Sequence, residues 1–235
     1  MNSALAPLSF DKHQHIKILT DQAFQHAKNQ QVVPVIVHEF ARAGAEMPIV
    51  FVKNSETGEF QPVALLGLKA GENVFYAEGD KKWLATYIPE LISQHPFALM
   101  PTENDASQLQ VILKEDSYLV SSEQGEALFD QFGDETEYMK KRKNALGHYY
   151  ENTQITKAFV NTLNEKSLLI QQQLTLTLNG ENFTLDGVYL VDEKALNNLP
   201  DNDFLELRQR GYLAPIYNHL SSLHQLSRIA ALKAK

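Results

Sequence analysis

Residues 33–68, VPVIVHEFARAGAEMPIVFVKNSETGEFQPVALLGL, decide how this chain is read. Apolar residues at Val35, Ile36, Phe40, Ala43 and Met47 recur at a helical spacing and predict a helix over 35–46. Pro34 suits its first turn, and Pro48 ends it. Residues 49–53 and 62–68 read as strands. Between them Asn54-Ser55-Glu56-Thr57-Gly58-Glu59 is turn chemistry, so the two strands form a hairpin. The same stretch carries Glu39, Arg42 and Glu46 between its apolar runs. Charges there are costly to bury unless they pair.

Outward from this segment the pattern stays β-rich through residue 114. An edge strand is expected at 15–19, and a short helix at 21–29 capped by Thr20 or Asp21. A third strand follows at 73–77, a short helix at 87–94, and a strand pair at 97–100 and 109–113. From 115 to 139 there are eight acidic residues and no Lys or Arg, followed directly by Lys140-Lys141-Arg142-Lys143. A solvated surface with acids near a helix start explains this run. A short helix is read at 123–129 and a long one from 135 to 163. A second hairpin joins 174–178 to 183–191 around Asn179-Gly180. Helices at 193–199 and 201–209 follow, the second capped by Asp201 and ended by Gly211. Pro215 opens a last helix with Ile216, Leu220, Leu223 and Ala230 on one stripe. If exposed, that stripe would mark a partner interface. The fold class is therefore α+β: an antiparallel, curved β core with hairpins, a long central helix and a C-terminal helical set. Residues 1–235 read as one domain or as two tightly docked halves meeting near 130–135.

Composition narrows the function. The 235 residues include 43% apolar ones, enough for a sizeable core. The formal charge of −8 disfavours nucleic acid or an anionic membrane as the main partner. No cysteine is present, which removes disulfides, Cys-ligated zinc, iron–sulfur clusters and thiol nucleophiles. No basic, apolar leader opens the chain, and no stretch reaches the roughly 20 apolar residues of a membrane span. A cytoplasmic protein is expected, with surface export by a signal-less route left open. The sequon Asn182-Phe183-Thr184 is then fortuitous.

Motifs for chemistry are few. His38-Glu39-Phe40-Ala41-Arg42 resembles a zinc-protease pattern but carries Arg at its second ligand position, so it is rejected. No nucleophile elbow, phosphate loop or dinucleotide fingerprint occurs. No catalytic residue, metal or cofactor is assigned. His13 and His15 would share a strand face without a third ligand. His219 and His224 point about 140° apart on a helix, so they cannot jointly bind a metal. His148 is read as a helix side chain against aromatic core. Asp116, Asp186 and Asp192 are read as turn and capping residues. The candidate ligand-binding residues are Arg42, Glu39, Glu46, Tyr76, Trp83 and Tyr87. Arg42 between two carboxylates at i−3 and i+4 can form forked ion pairs, and the aromatics can stack on a sugar or aromatic ring. A structural ion cluster and an aromatic core are the preferred readings of these groups.

Several stretches in order along the chain resemble the SapC family of bacterial proteins. They are residues 33–68, Gly71-Glu72-Asn73-Val74-Phe75, residues 83–97, residues 185–193 (LDGVYLVDE) and residues 210–220 (RGYLAPIYNHL). The resemblance makes the whole chain one SapC-like domain. It implies a Gram-negative envelope or TonB-linked nutrient-uptake setting. Relatives are encoded near TonB-dependent receptors, halogenase-like proteins and cupin-like proteins. A non-catalytic accessory or adaptor protein is the leading expectation. Its partners would be one of those neighbouring proteins or a second copy. A small-molecule-binding protein or enzyme, and a surface-layer structural protein, are the alternatives.

Overall fold

The computed structural model describes residues 5–20, 23–102, 104–105, 108–178 and 180–234. The first hairpin forms where its turn chemistry sits: Ile49–Lys53 pairs antiparallel with Phe60–Leu65. Asn54 Oδ1 accepts the N–H groups of Glu56 (2.8 Å) and Thr57 (3.1 Å). Gly58 turns the chain back at φ +72°, a conformation glycine adopts without a Cβ clash. The helix expected over 35–46 is shorter. Val32–Pro34 is a strand on Phe60–Leu65, Val37–Glu39 is a 3-10 turn, and Phe40–Gly44 is the α-helix. Pro34 lies in the outermost strand of its sheet, where its missing N–H costs no ladder bond.

The chain divides into two compact units, Met1–Phe24 with Ile92–Glu151, and Gln25–Leu91 with Asn152–Lys235. The long helix Glu137–Glu165, close to the expected 135–163, contributes residues to both. All strand pairings among the described residues are antiparallel, so the architecture is α+β as expected.

In the first unit, Leu109–Lys114 lies between Leu5–Pro7 and Phe97–Pro101. A second small sheet centres on Lys17–Ile18, flanked by Val120–Ser121 and Glu126–Ala127. The strand expected at the edge over 15–19 is therefore central and shorter. The helix expected at 123–129 is replaced by the strand Glu126–Ala127, because Gly125, at φ +112°, closes onto Ile18. Ile18, Phe97, Val111, Leu113, Leu119, Leu128, Met139 and Leu146 form the core.

In the second unit, five strands lie in the order Leu169–Leu178, Glu181–Val191, Ile49–Lys53, Phe60–Leu65, Val32–Pro34. The second hairpin is longer than expected. Gly180 turns at φ +82°, and Asn179 lies outside the described residues. Phe40 packs edge-on against Phe51 (6.5 Å) and Phe159 (5.9 Å), with Tyr212 5.1 Å beyond Phe159. Tyr76–Ala77 pairs with Lys82–Trp83, so the strand expected at 73–77 is only two residues long. Gln25–Ala27 is a 3-10 turn inside the helix expected at 21–29, and Asp21 lies outside the described residues. The short helix expected at 87–94 is Glu90–Ser93, at the boundary of the units.

The C-terminal helices close this unit. Asp192 caps Glu193–Asn197, its carboxylate accepting from the N–H groups of Lys194 and Ala195. Asp201–Gln209 has Pro200, not Asp201, at its N-cap. It ends in a Schellman motif: Gly211 (φ +74°) and Tyr212 donate to the Arg208 and Leu207 carbonyls. The expected last helix is broken into Leu213–Ser222, a 3-10 turn Leu223–Gln225 and Leu226–Lys233. Of its stripe, Ile216 is fully buried and Leu220, Leu223 and Ala230 are half-buried, so the stripe faces the fold.

Candidate functional site

The ionic cluster lies in the second unit, and its carboxylates face the chain's own backbone. Glu39, at the end of the 3-10 turn, is fully buried. Oε2 accepts the Ile36 N–H at 3.0 Å, and Oε1 accepts the Glu90 N–H and the Tyr87 hydroxyl, both at 2.8 Å. Burial pushes the carboxyl up, and the three donors only partly offset it. Burial and the neighbouring Glu39 charge also raise the Tyr87 hydroxyl, keeping it a protonated donor. Glu46 accepts the N–H groups of Thr86 (2.9 Å) and Tyr87 (2.7 Å). Arg228 reaches Glu46 Oε2 at 2.8 Å.

The expected fork of Arg42 between Glu39 and Glu46 does not form. The α-helix ends at Gly44, so Glu46 leaves the face that carries Arg42. The backbone N–H groups of 86–90 take both carboxylates instead. Arg42 remains 63% exposed, with Nη2 3.7 Å from Glu90 and Cζ 5.1 Å from the Tyr87 ring centroid. Trp83 is buried, donates Nε1–H to the Tyr87 carbonyl at 3.0 Å and stacks on Phe75 at 6.1 Å. Tyr76 sits opposite Trp83 in the two-residue ladder and is half-buried. The six residues are thus neighbours: Glu39 and Glu46 clamp the 86–90 loop, Trp83 and Tyr87 sit inside the clamp, and Arg42 lies over it.

Arg42 can be tested separately. An exposed cation–π contact and a long ion pair contribute little. Arg42→Ala is expected to change the unfolding free energy by at most about 1 kcal/mol in urea denaturation. Global unfolding of this variant would make Arg42 a structural residue.

Other polar groups fall differently from their sequence readings. His13 is in the helix Phe10–His13, not on a strand, and is buried with Nε2 3.1 Å from Glu115. His148 is exposed, 3.7 Å from Glu151, because it lies on the outer face of the long helix. Asp186 accepts from Gln173 Nε2. In the basic run, Lys140 pairs with Glu137, Lys143 with Glu135, and Arg142 donates to the Ser93 carbonyl. Among the described residues no three His, Asp or Glu side chains gather as a metal would require. An open groove of about 540 Å³ is lined by Asn197, Leu199, Asp201, Phe204, Leu205 and Arg208. It contains none of the six predicted residues.

Sequence reasoning weighed His219 only against His224 and missed a fully buried polar pair. His219 and Ser222, on Leu213–Ser222, are fully buried. Strand Glu181–Val191 meets Ile49–Lys53 only at Val188↔Val52 and Tyr189↔Phe51. Continuing that register would pair Val191 with Ile49. The imidazole stands between them: Nδ1–H donates to the Ile49 carbonyl (2.8 Å), and Nε2 accepts the Val191 N–H (3.1 Å). Ser222 Oγ accepts the Ile49 N–H at 2.9 Å. Gly44 permits the approach, since a Cβ there would lie 3.1 Å from Ser222 Cβ and 3.3 Å from the Asn218 carbonyl. A His and a Ser three apart, inside the face marked by Pro215 and Ile216, were the available signal.

No curated protein and no solved structure matches the chain. The SapC family model matches residues 8–229 of 235, a span that holds both clamps and every strand described except Leu5–Pro7. The chain belongs to the SapC family.

Proposed function

We propose that this SapC-family protein is a non-catalytic accessory or adaptor protein of a bacterial envelope or TonB-linked nutrient-uptake system. It acts by contact with proteins encoded beside it. The observation that carries this reading is the inward orientation of the ionic cluster. Glu39 and Glu46 are engaged by N–H groups, Tyr87 and Arg228, so the residues best suited to grip a ligand hold a loop instead. The family's genomic setting supplies the partner class: a halogenase-like, cupin-like or receptor protein.

The test is capture by the tagged full-length protein from soluble and membrane fractions of its native host, read by mass spectrometry. Stoichiometric recovery of one such neighbour is expected. Recovery of the tagged protein alone would overturn the adaptor reading.

A further inference from the structure

Phe132 is 81% exposed, the largest exposure among the described large apolar side chains. Its exposure is built in. Asp130 Oδ1 accepts the N–H groups of Phe132 (2.8 Å) and Asp134 (3.0 Å). Backbone bonds run from Asp130 N–H to the Asp134 carbonyl (2.9 Å) and from Gly133 N–H to the Asp130 carbonyl (3.2 Å). Gly133 sits at φ +93°. At the base of the loop, Phe129 forms a β-bridge with Glu135 and packs edge-on against Phe10 at 5.6 Å. The turn therefore holds one aromatic ring in water and forgoes the burial a core position would supply.

Acids outnumber cations around the ring, with Lys140 near enough to act on both Asp130 and Asp134. Lys140 pairs with Glu137 and Lys143 with Glu135. Neither lysine makes an ion pair with Asp130 or Asp134, which flank Phe132 in the loop, and Lys140 offsets their charge only through space. A pre-organised aromatic loses little freedom on docking, and buried aromatics dominate the energetics of protein interfaces. Flanking acids steer the encounter toward a basic surface.

We infer that Phe132, collared by Asp130 and Asp134, is the knob that docks into an apolar pocket rimmed by Lys or Arg on a partner protein. This rests on the adaptor reading and names the surface that performs it.

The experiment repeats the host capture with wild-type, Phe132→Ala and Asp134→Asn proteins. The captured partner is then purified and titrated against each by calorimetry at low and high salt. Phe132 is exposed and the Asp134 side chain makes no described bond, so the thermal unfolding of both variants should match wild type. Phe132→Ala is expected to weaken binding about 30-fold or more. Asp134→Asn is expected to weaken it at low salt and to converge on wild type at high salt. A partner bound equally by wild type and Phe132→Ala would overturn the knob and leave the adaptor reading standing. Capture of nothing by wild type would overturn the adaptor reading itself, and the knob with it.

Discussion

Replacing His219 with alanine is expected to lower the unfolding free energy by about 4 kcal/mol, combining orphaned backbone groups with a cavity. The change leaves the Ile49 carbonyl and the Val191 N–H without partners where two strands part. It also removes the ring that packs edge-on against Phe51 at 5.0 Å. Urea denaturation followed by circular dichroism measures the loss. A loss below about 1 kcal/mol would mean that water or a rejoined ladder replaces the ring.

The same residue links stability to pH. Burial lowers the His219 pKa to about 4, against the partial support of the bond to Ile49. In the unfolded chain it titrates near about 6.5. The folded value is depressed by burial of a neutral ring, so the unfolded chain takes up the proton first as pH falls. Stability from this residue is complete above about 6.5 and is lost toward 4, at about 1.4 kcal/mol per pH unit, about 3 kcal/mol in all. His219→Gln offers an amide donor for Ile49 and an acceptor for Val191 but no titrating group. Its stability should fall less steeply than wild type between pH 6.5 and 4. Equal slopes would remove His219 as the source.

Glu39→Ala is the second large effect, expected at about 4 kcal/mol, because it strands three donors in a dry site. Those donors are the Ile36 and Glu90 N–H groups and the Tyr87 hydroxyl. Tyr87→Phe removes only the hydroxyl bond and should cost about 1 kcal/mol. The two values together separate the backbone clamp from the side-chain contact. Equal losses would mean that the Tyr87 bond carries the effect. The pH dependence of Glu39 has the opposite sign to that of His219. Burial raises its carboxyl above the ordinary value of 4.5. Its contribution is therefore fully present below 4.5 and diminishes as pH rises through the raised folded value. Subtracting the Glu39→Gln stability profile from that of wild type isolates this component.

The turns at 54–59 and at Gly180 were legible because local chemistry makes them: an Asn side chain at the first, and a glycine at positive φ in both. The Gly211 helix stop and the Asp192 cap were legible for the same reason. The helix at 35–46 is shorter than its pattern because Val35, Ile36 and Met47 are buried in the core from outside the α-helix, Ile36 in extended backbone (φ −89°, ψ 155°), so core residues fell on a helical spacing without being helical. The helix at 123–129 was misjudged because Gly125 closes on Ile18, more than a hundred residues away in the chain. Glu39, Arg42 and Glu46 stand out in the sequence because charges between apolar runs must have partners, and Tyr76, Trp83 and Tyr87 only because aromatic rings can stack on a ligand. The partners of the two carboxylates were not legible, since the N–H groups of Thr86, Tyr87 and Glu90 carry no side-chain signature.

The sequence by itself determined the α+β class, the two hairpins, the long helix, the family and the list of charged groups that had to be satisfied. Each is written in spacing, turn residues or composition that act within about one element's length. Only the tertiary structure decided which groups satisfy them: Glu39 and Glu46 bound to a loop about forty to fifty residues away, His219 and Ser222 filling a parted ladder, and Phe132 held out in water. Those outcomes depend on distances between segments remote in the chain, where a buried donor takes the nearest available acceptor and local pattern carries no record of which one that is.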